Sequence, residues 1–152
     1  MQMLTILGAT GCIGISTLDV VALHPDRFRV FALSCHSNVI DLAEQCRQFK
    51  PRYAVASDPT KVDQLKQLLE KNCANTEVLS GVEGLCQIAT DPDVDTVMAA
   101  IVGAAGLLPT LEAAKKGKRI LLANKESLVM AGSLFMNAVK KGGATLLPID
   151  SE

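Results

Sequence analysis

The chain has 152 residues, enough for one domain with a sizeable core, and its 15 basic against 16 acidic residues leave a net charge of −1. That balance excludes an electrostatic footprint for nucleic acid or an anionic membrane surface, and one Tyr, four Phe and no Trp exclude a base-stacking platform. A hydrophobic content of 49% and a mean hydropathy of +0.27 are high, and strands covered on both faces account for them better than a membrane does. A long uncharged stretch, Thr96 to Leu111, contains Gly103, Gly106 and Pro109 and falls short of the ~20 apolar residues of a span. No basic region precedes an apolar segment at Met1, so no signal or transit peptide is expected. The five cysteines, Cys12, Cys35, Cys46, Cys73 and Cys86, form no CxxC and read as reduced core or turn residues of a cytoplasmic protein.

The first predicted strand, Leu4–Leu7, runs straight into Gly8-Ala-Thr-Gly-Cys-Ile-Gly14. Three glycines three residues apart then open a helix through Ile15–Leu23, which is where a nucleotide's pyrophosphate can sit. Gly8 permits the sharp exit from the strand, Gly11 lets the backbone approach phosphate without a Cβ, and Gly14 lets the helix pack closely. The spacing is GxxGxxG rather than GxGxxG, and a turn that merely joins strand to helix is the competing reading. His24, before Pro25, reads as a helix-end residue.

A second strand, Phe28–Leu33, leads to Ser-Cys-His-Ser-Asn38. Enzymes that use NAD usually place an acid here for the ribose 2′-hydroxyl, and the next acid is only Asp41. The missing acid favours NADP, with His36, Ser37 and local amides to receive a 2′-phosphate; a merely solvated His36 remains the alternative. Apolar residues at 39, 42, 43, 46 and 49 predict a helix over Val39–Phe49. Tyr53–Ala56 reads as a strand, and Asp58-Pro59 as the N-cap and first residue before Val62, Leu65, Leu68 and Leu69 at helical spacing.

Further strands are expected at Glu77–Leu79, Thr96–Ala99, Ile120–Leu122 and Thr145–Ile149. Gly103 and Gly106, after the fifth strand, either admit a flat cofactor ring or permit close packing. Asn124, Lys125 and Glu126 stand just beyond the sixth, where charged residues suit a site and equally suit a capping turn. Asp150 and Glu152 flank Ser151 beyond the seventh; two hard oxygen donors suit Mg²⁺ or Mn²⁺, although a lone DSE triplet is more often a surface turn. The strand–helix alternation defines an α/β chain with a Rossmann-like, doubly wound, mostly parallel sheet carrying helices on both faces.

Three segments in order, GATGCIG, AAIVGAAGLLPTLEAAKKGKRILLANKESLV and LLPIDSE, closely resemble the 1-deoxy-D-xylulose 5-phosphate reductoisomerases of non-mevalonate isoprenoid biosynthesis, across the whole chain. The resemblance implies that residues 1–152 are the NADPH-binding domain of a homodimeric enzyme whose catalytic and C-terminal helical domains follow. It implies contacts of Thr10, Gly11, Cys12 and Ile13 with the dinucleotide, of Ser37 and Asn38 with its adenosine ribose and 2′-phosphate, and of Asn124 and Glu126 with NADPH. Lys125, Ser151 and Glu152 would meet a phosphosugar substrate, Lys125 and Glu152 catalytically, while Asp150 and Glu152 would hold Mn²⁺, Mg²⁺ or Co²⁺.

Two positions depart from the family pattern: Cys12 replaces a usual Ser, and His36-Ser37 replaces a common Gly-Lys or Gly-Arg pair. The implied reaction isomerises deoxyxylulose phosphate on the metal and then reduces it with hydride from NADPH to methylerythritol phosphate. This chain alone is expected to be inactive. The competing readings are a homoserine or semialdehyde dehydrogenase-like domain and a stand-alone NADP-binding sensor or assembly domain; LLPIDSE argues against the first, and the abrupt end at Glu152 against the second.

Overall fold

A computed structural model of the chain describes residues 1–71, 73–123 and 125–148, with the backbone alone for residues 125–131. Seven strands alternate with six helices: β1 (Gln2–Leu7), α1 (Cys12–Leu23), β2 (Phe28–Cys35), α2 (Val39–Phe49), β3 (Tyr53–Ala56), α3 (Val62–Glu70), β4 (Glu77–Ser80), α4 (Gly81–Thr90), β5 (Thr96–Ala99), α5 (Leu107–Lys115), β6 (Arg119–Leu122), α6 (Lys125–Gly142) and β7 (Thr145–Pro148). The expected strands are all present; β2 runs two residues further than its apolar pattern, and residue 149 of the expected last strand lies outside the described residues.

All seven strands pair in parallel, in the order β4-β3-β2-β1-β5-β6-β7. Parallel neighbours need a crossover, and each crossover here is a helix that covers one face. Leu18 and Val21 of α1, Leu42 and Cys46 of α2 and Leu65 and Leu69 of α3 pack with Leu4, Ile6 and Leu33 into one core. Leu85 and Ile88 of α4, Ala113 and Ala114 of α5 and Phe135 of α6 form the second, with Leu7, Val97 and Ile120. The sheet is therefore wound once in each direction from β1. The direction of winding reverses between β1 and β5.

Register slips once, between Leu4 opposite Val30 and Thr5 opposite Ala32. The extra residue makes a bulge, so the consecutive residues Phe31 and Ala32 both face the second core. Local signals explain the helix starts. Asn38 caps α2 by accepting from the Asp41 amide at 3.3 Å and donating to its carboxylate at 2.8 Å. Asp58 caps a 3₁₀ turn, Pro59–Lys61, that feeds directly into α3. Pro109 sits in the first turn of α5, where an amide would lack an intrahelical partner anyway.

Candidate dinucleotide-binding site

Strand β1 ends at Gly8, whose φ of +84° turns the chain out of the sheet. A Cβ there would lie 2.8 Å from the Ala100 carbonyl oxygen at the end of β5, so glycine is required twice over. The turn is fastened by three hydrogen bonds from two neighbouring elements. Ser34 of β2 accepts the Gly8 amide on its hydroxyl at 3.0 Å and the Ala9 amide on its carbonyl at 2.7 Å. From α2, Gln45 donates its side-chain amide to the Ala9 carbonyl at 2.8 Å. Neither Ser34 nor Gln45 is marked by any sequence motif, because each reaches the turn only through the sheet's lateral packing.

Gly14 proves to serve packing against the turn itself: a Cβ would stand 2.3 Å from the Gly8 oxygen and 2.6 Å from Ala9 Cα. Gly11 is the open one. It is the N-cap of α1 in ordinary extended geometry, and its Cβ would meet nothing nearer than 3.8 Å. No side chain caps α1, and the amides of Thr10, Cys12, Ile13 and Gly14 have no partner among the described residues. Free amides, the positive end of a helix and a missing Cβ together make an anion seat. Cys12 is exposed at its rim, while Ile13 turns its side chain into the first core and offers only its backbone.

Beside this seat lies a pocket of about 450 Å³ at the carboxyl ends of β1, β2, β3 and β5. Gly8, Thr10 and Gly11 form one wall, His36 and Ser57 another, and Ile101 and Val102 a third. It occupies the crevice where the winding reverses, the place at which open α/β sheets bind ligands. His36 Nδ1 lies 2.9 Å from the Ser57 hydroxyl. Ser57 is a site residue that motif reading passed over; its position one residue past β3 is the only sequence signal for it. Burial pushes the Cys35 thiol in the pocket wall up to about 12, so it stays neutral. Hydrogen bonds from the Thr60 hydroxyl and amide hold Asp58 below the usual carboxylate range.

Of the two glycines after β5, Gly106 serves close packing. Gly103 has φ +84° with open space around it, whereas a Cβ on Gly106 would press on Ile101 at 3.0 Å. His24 ends α1, its amide donating to the Val21 carbonyl. The backbone of Lys125 and Glu126 opens α6, just beyond β6. Asn124, Asp150, Ser151 and Glu152, and the side chains of Lys125 and Glu126, lie outside the described residues. Among the described residues no group of three His, Cys, Asp or Glu could hold a metal.

A larger cleft, about 770 Å³, opens at the opposite edge of the sheet beside Arg29, Lys50 and Arg52. Lys50 caps the carboxyl end of α2, and such helix ends present carbonyls that repel an anion. The candidate anion seat lies at the other edge, beyond the carboxyl end of β1.

Fold and candidate seat define a Rossmann-like, doubly wound α/β domain. The family model described as 1-deoxy-D-xylulose 5-phosphate reductoisomerase matches residues 4–132, and the chain belongs to that family. The reductoisomerase of Nitrosospira multiformis is 60% identical over 149 residues, which is 98% of this chain and 38% of that protein. A solved DOX-P reductoisomerase in complex with NADPH, fosmidomycin and magnesium superposes with a TM-score of 0.95 at 55% identity, over 99% of this chain and 37% of that one. The reductoisomerase of Zymomonas mobilis in complex with NADPH gives 0.93 at 46% identity, over 99% and 39%. The chain thus spans well under half the length of these relatives. A homoserine dehydrogenase of Archaeoglobus fulgidus, 18% identical with a TM-score of 0.59, shares the fold alone.

Proposed function

We propose that residues 1–152 are the NADPH-binding domain of a 1-deoxy-D-xylulose 5-phosphate reductoisomerase, a cytoplasmic homodimer when whole. The observation that carries this reading is the anion seat at Gly11, with free amides and no Cβ beside a pocket at the β1–β5 crevice. Thr10, Gly11, Cys12 and Ile13 would hold the pyrophosphate through backbone amides, with Gly8 and Gly14 shaping the turn. His36, Ser37 and Asn38 would receive the adenosine ribose and its 2′-phosphate, and Asn124 and Glu126 would meet the cofactor further along.

Bound NADPH supplies the hydride, and the chain's task is to position it. Lys125, Ser151 and Glu152 would meet the phosphosugar, Lys125 and Glu152 with catalytic roles. Asp150 and Glu152 would hold a divalent ion that polarises substrate oxygens, as suits hard carboxylate donors. Five free cysteines accord with a reducing compartment, and among the described residues no helix is long and apolar enough to cross a membrane. Calorimetric titration with NADPH and NADH tests the reading. Tighter binding of NADPH is expected, and equal affinities or no binding of either would refute it.

A further inference from the structure

We propose that His36, held by Ser57, is a protonation-dependent receptor for the 2′-phosphate and sets this chain's discrimination between NADPH and NADH. The inference rests on the dinucleotide reading above and adds a residue pair and a pH dependence to it. Its basis is geometric. The ends of β2 and β3 are locked together, the Ser57 amide donating to the Cys35 carbonyl at 2.9 Å and the Asp58 amide to the His36 carbonyl at 3.0 Å. On that frame the Ser57 hydroxyl meets His36 Nδ1 at 2.9 Å, and both residues line the pocket that Gly8, Thr10 and Gly11 share. With Nδ1 engaged, the ring's other nitrogen is left to face a ligand. Once that nitrogen is protonated, imidazolium donates from both nitrogens, one to Ser57 and one to an anion.

The surrounding charges leave this task to His36. Ser37, next in the chain, is exposed and uncharged, and its carbonyl accepts the Val39 amide. On α2 the Asp41 carboxylate accepts from the Asn38 side chain. On the β3 side the Asp58 carboxylate is tied to Thr60, and Lys61 acts on the same carboxylate. Cys35 is neutral. From α4 the pocket receives only Leu85, and from the glycine turn Thr10, so neither brings a charge. Cys12, at the start of α1, is the remaining titratable side chain of that turn.

An ordinary imidazole exchanges its proton near pH 6.5, and a phosphate monoester is mostly dianionic above about pH 6. A dianion within 4–6 Å raises the imidazole's affinity for its proton by roughly 1–2 pH units. NADPH affinity should then fall about tenfold between pH 6.5 and 8.5, while NADH, lacking the phosphate, stays level. Calorimetry with the full-length protein at both pH values reads this directly, with no turnover required. His36→Asn should remove the slope. Ser57→Ala should flatten it and weaken NADPH at pH 6.5 with NADH unchanged, and Ser57→Thr should restore both. Parallel pH profiles for the two dinucleotides in the unmodified protein would overturn the proposal, and that comparison needs no variant to fold. An unaltered slope in His36→Asn would overturn it too. An unaltered slope in Ser57→Ala would overturn the positioning role of Ser57. Failure of both dinucleotides to bind would overturn the dinucleotide reading itself, and this inference with it.

Discussion

Replacing Gly11 by Val separates the folding role of the glycine turn from its binding role. Gly11 has φ −83° and ψ 177°, extended geometry in which a β-branched residue is comfortable, and the nearest atom to a new Cβ is 3.8 Å away. The cost to the fold is confined to a poorer N-cap, about 0.5–1 kcal/mol, or roughly 1–4 °C in Tm for a chain of this size. The cost to binding is far larger. On the proposed function the side chain would fill the space through which a pyrophosphate would reach the amides of Cys12 and Ile13. Losing two hydrogen bonds to a charged group costs about 3–6 kcal/mol, a fall of more than a hundredfold in affinity. Thermal unfolding and calorimetric titration of the same sample measure both quantities. A variant that binds NADPH as tightly as the parent would show that the phosphate sits elsewhere. A loss of 5 kcal/mol in stability, on the order of the whole margin, would show that Gly11 is instead a packing residue.

Ser37→Lys or Ser37→Arg should tighten NADPH and leave NADH unchanged, by a charge-assisted contact of roughly 1–3 kcal/mol; equal tightening of both in a titration would place position 37 away from the 2′-phosphate. An alkylating reagent at pH 8 should modify exposed Cys12 and spare Cys35 and Cys46, with NADPH slowing the reaction at Cys12, as peptide mass mapping can check. Burial raises the Cys35 and Cys46 thiols from 9.0 to about 12, so the folded state holds protons that the unfolded state releases. Their contribution to stability is full below pH 9 and lost as the pH rises towards 12, and the urea midpoint should fall over that window. The 152-residue chain by itself should bind NADPH yet show no metal-dependent NADPH oxidation with deoxyxylulose phosphate. Asp150 and Glu152 offer two carboxylates where a hard divalent ion takes about six oxygens, and measurable turnover would mean the catalytic groups are misassigned.

The sequence by itself determined the order of elements and the glycine turn between β1 and α1. Apolar strands alternating with helical repeats leave little choice but a parallel, doubly wound sheet, and GATGCIG writes a backbone requirement directly into residue type. The cap at Asp58 was legible for the same reason, since it acts within three residues of itself, whereas the cap at Asn38 emerged only in the structure. Helix α4 carried no such signature: Gly81 and Gly84 dilute its pattern, and packing of Leu85 and Ile88 on the sheet makes it a helix. What only the tertiary structure decided depends on distance across the fold. The bulge that turns Phe31 and Ala32 to one face is set by pairing with β1. Lys118 is buried because its ammonium donates to the carbonyls of Asp91 and Val94, 27 and 24 residues away in the chain. Gln45 reaches Ala9 across 36 residues and Ser57 reaches His36 across 21. Motifs record what a residue demands of its neighbours in the chain, whereas these contacts exist only once neighbouring strands and helices pack side by side.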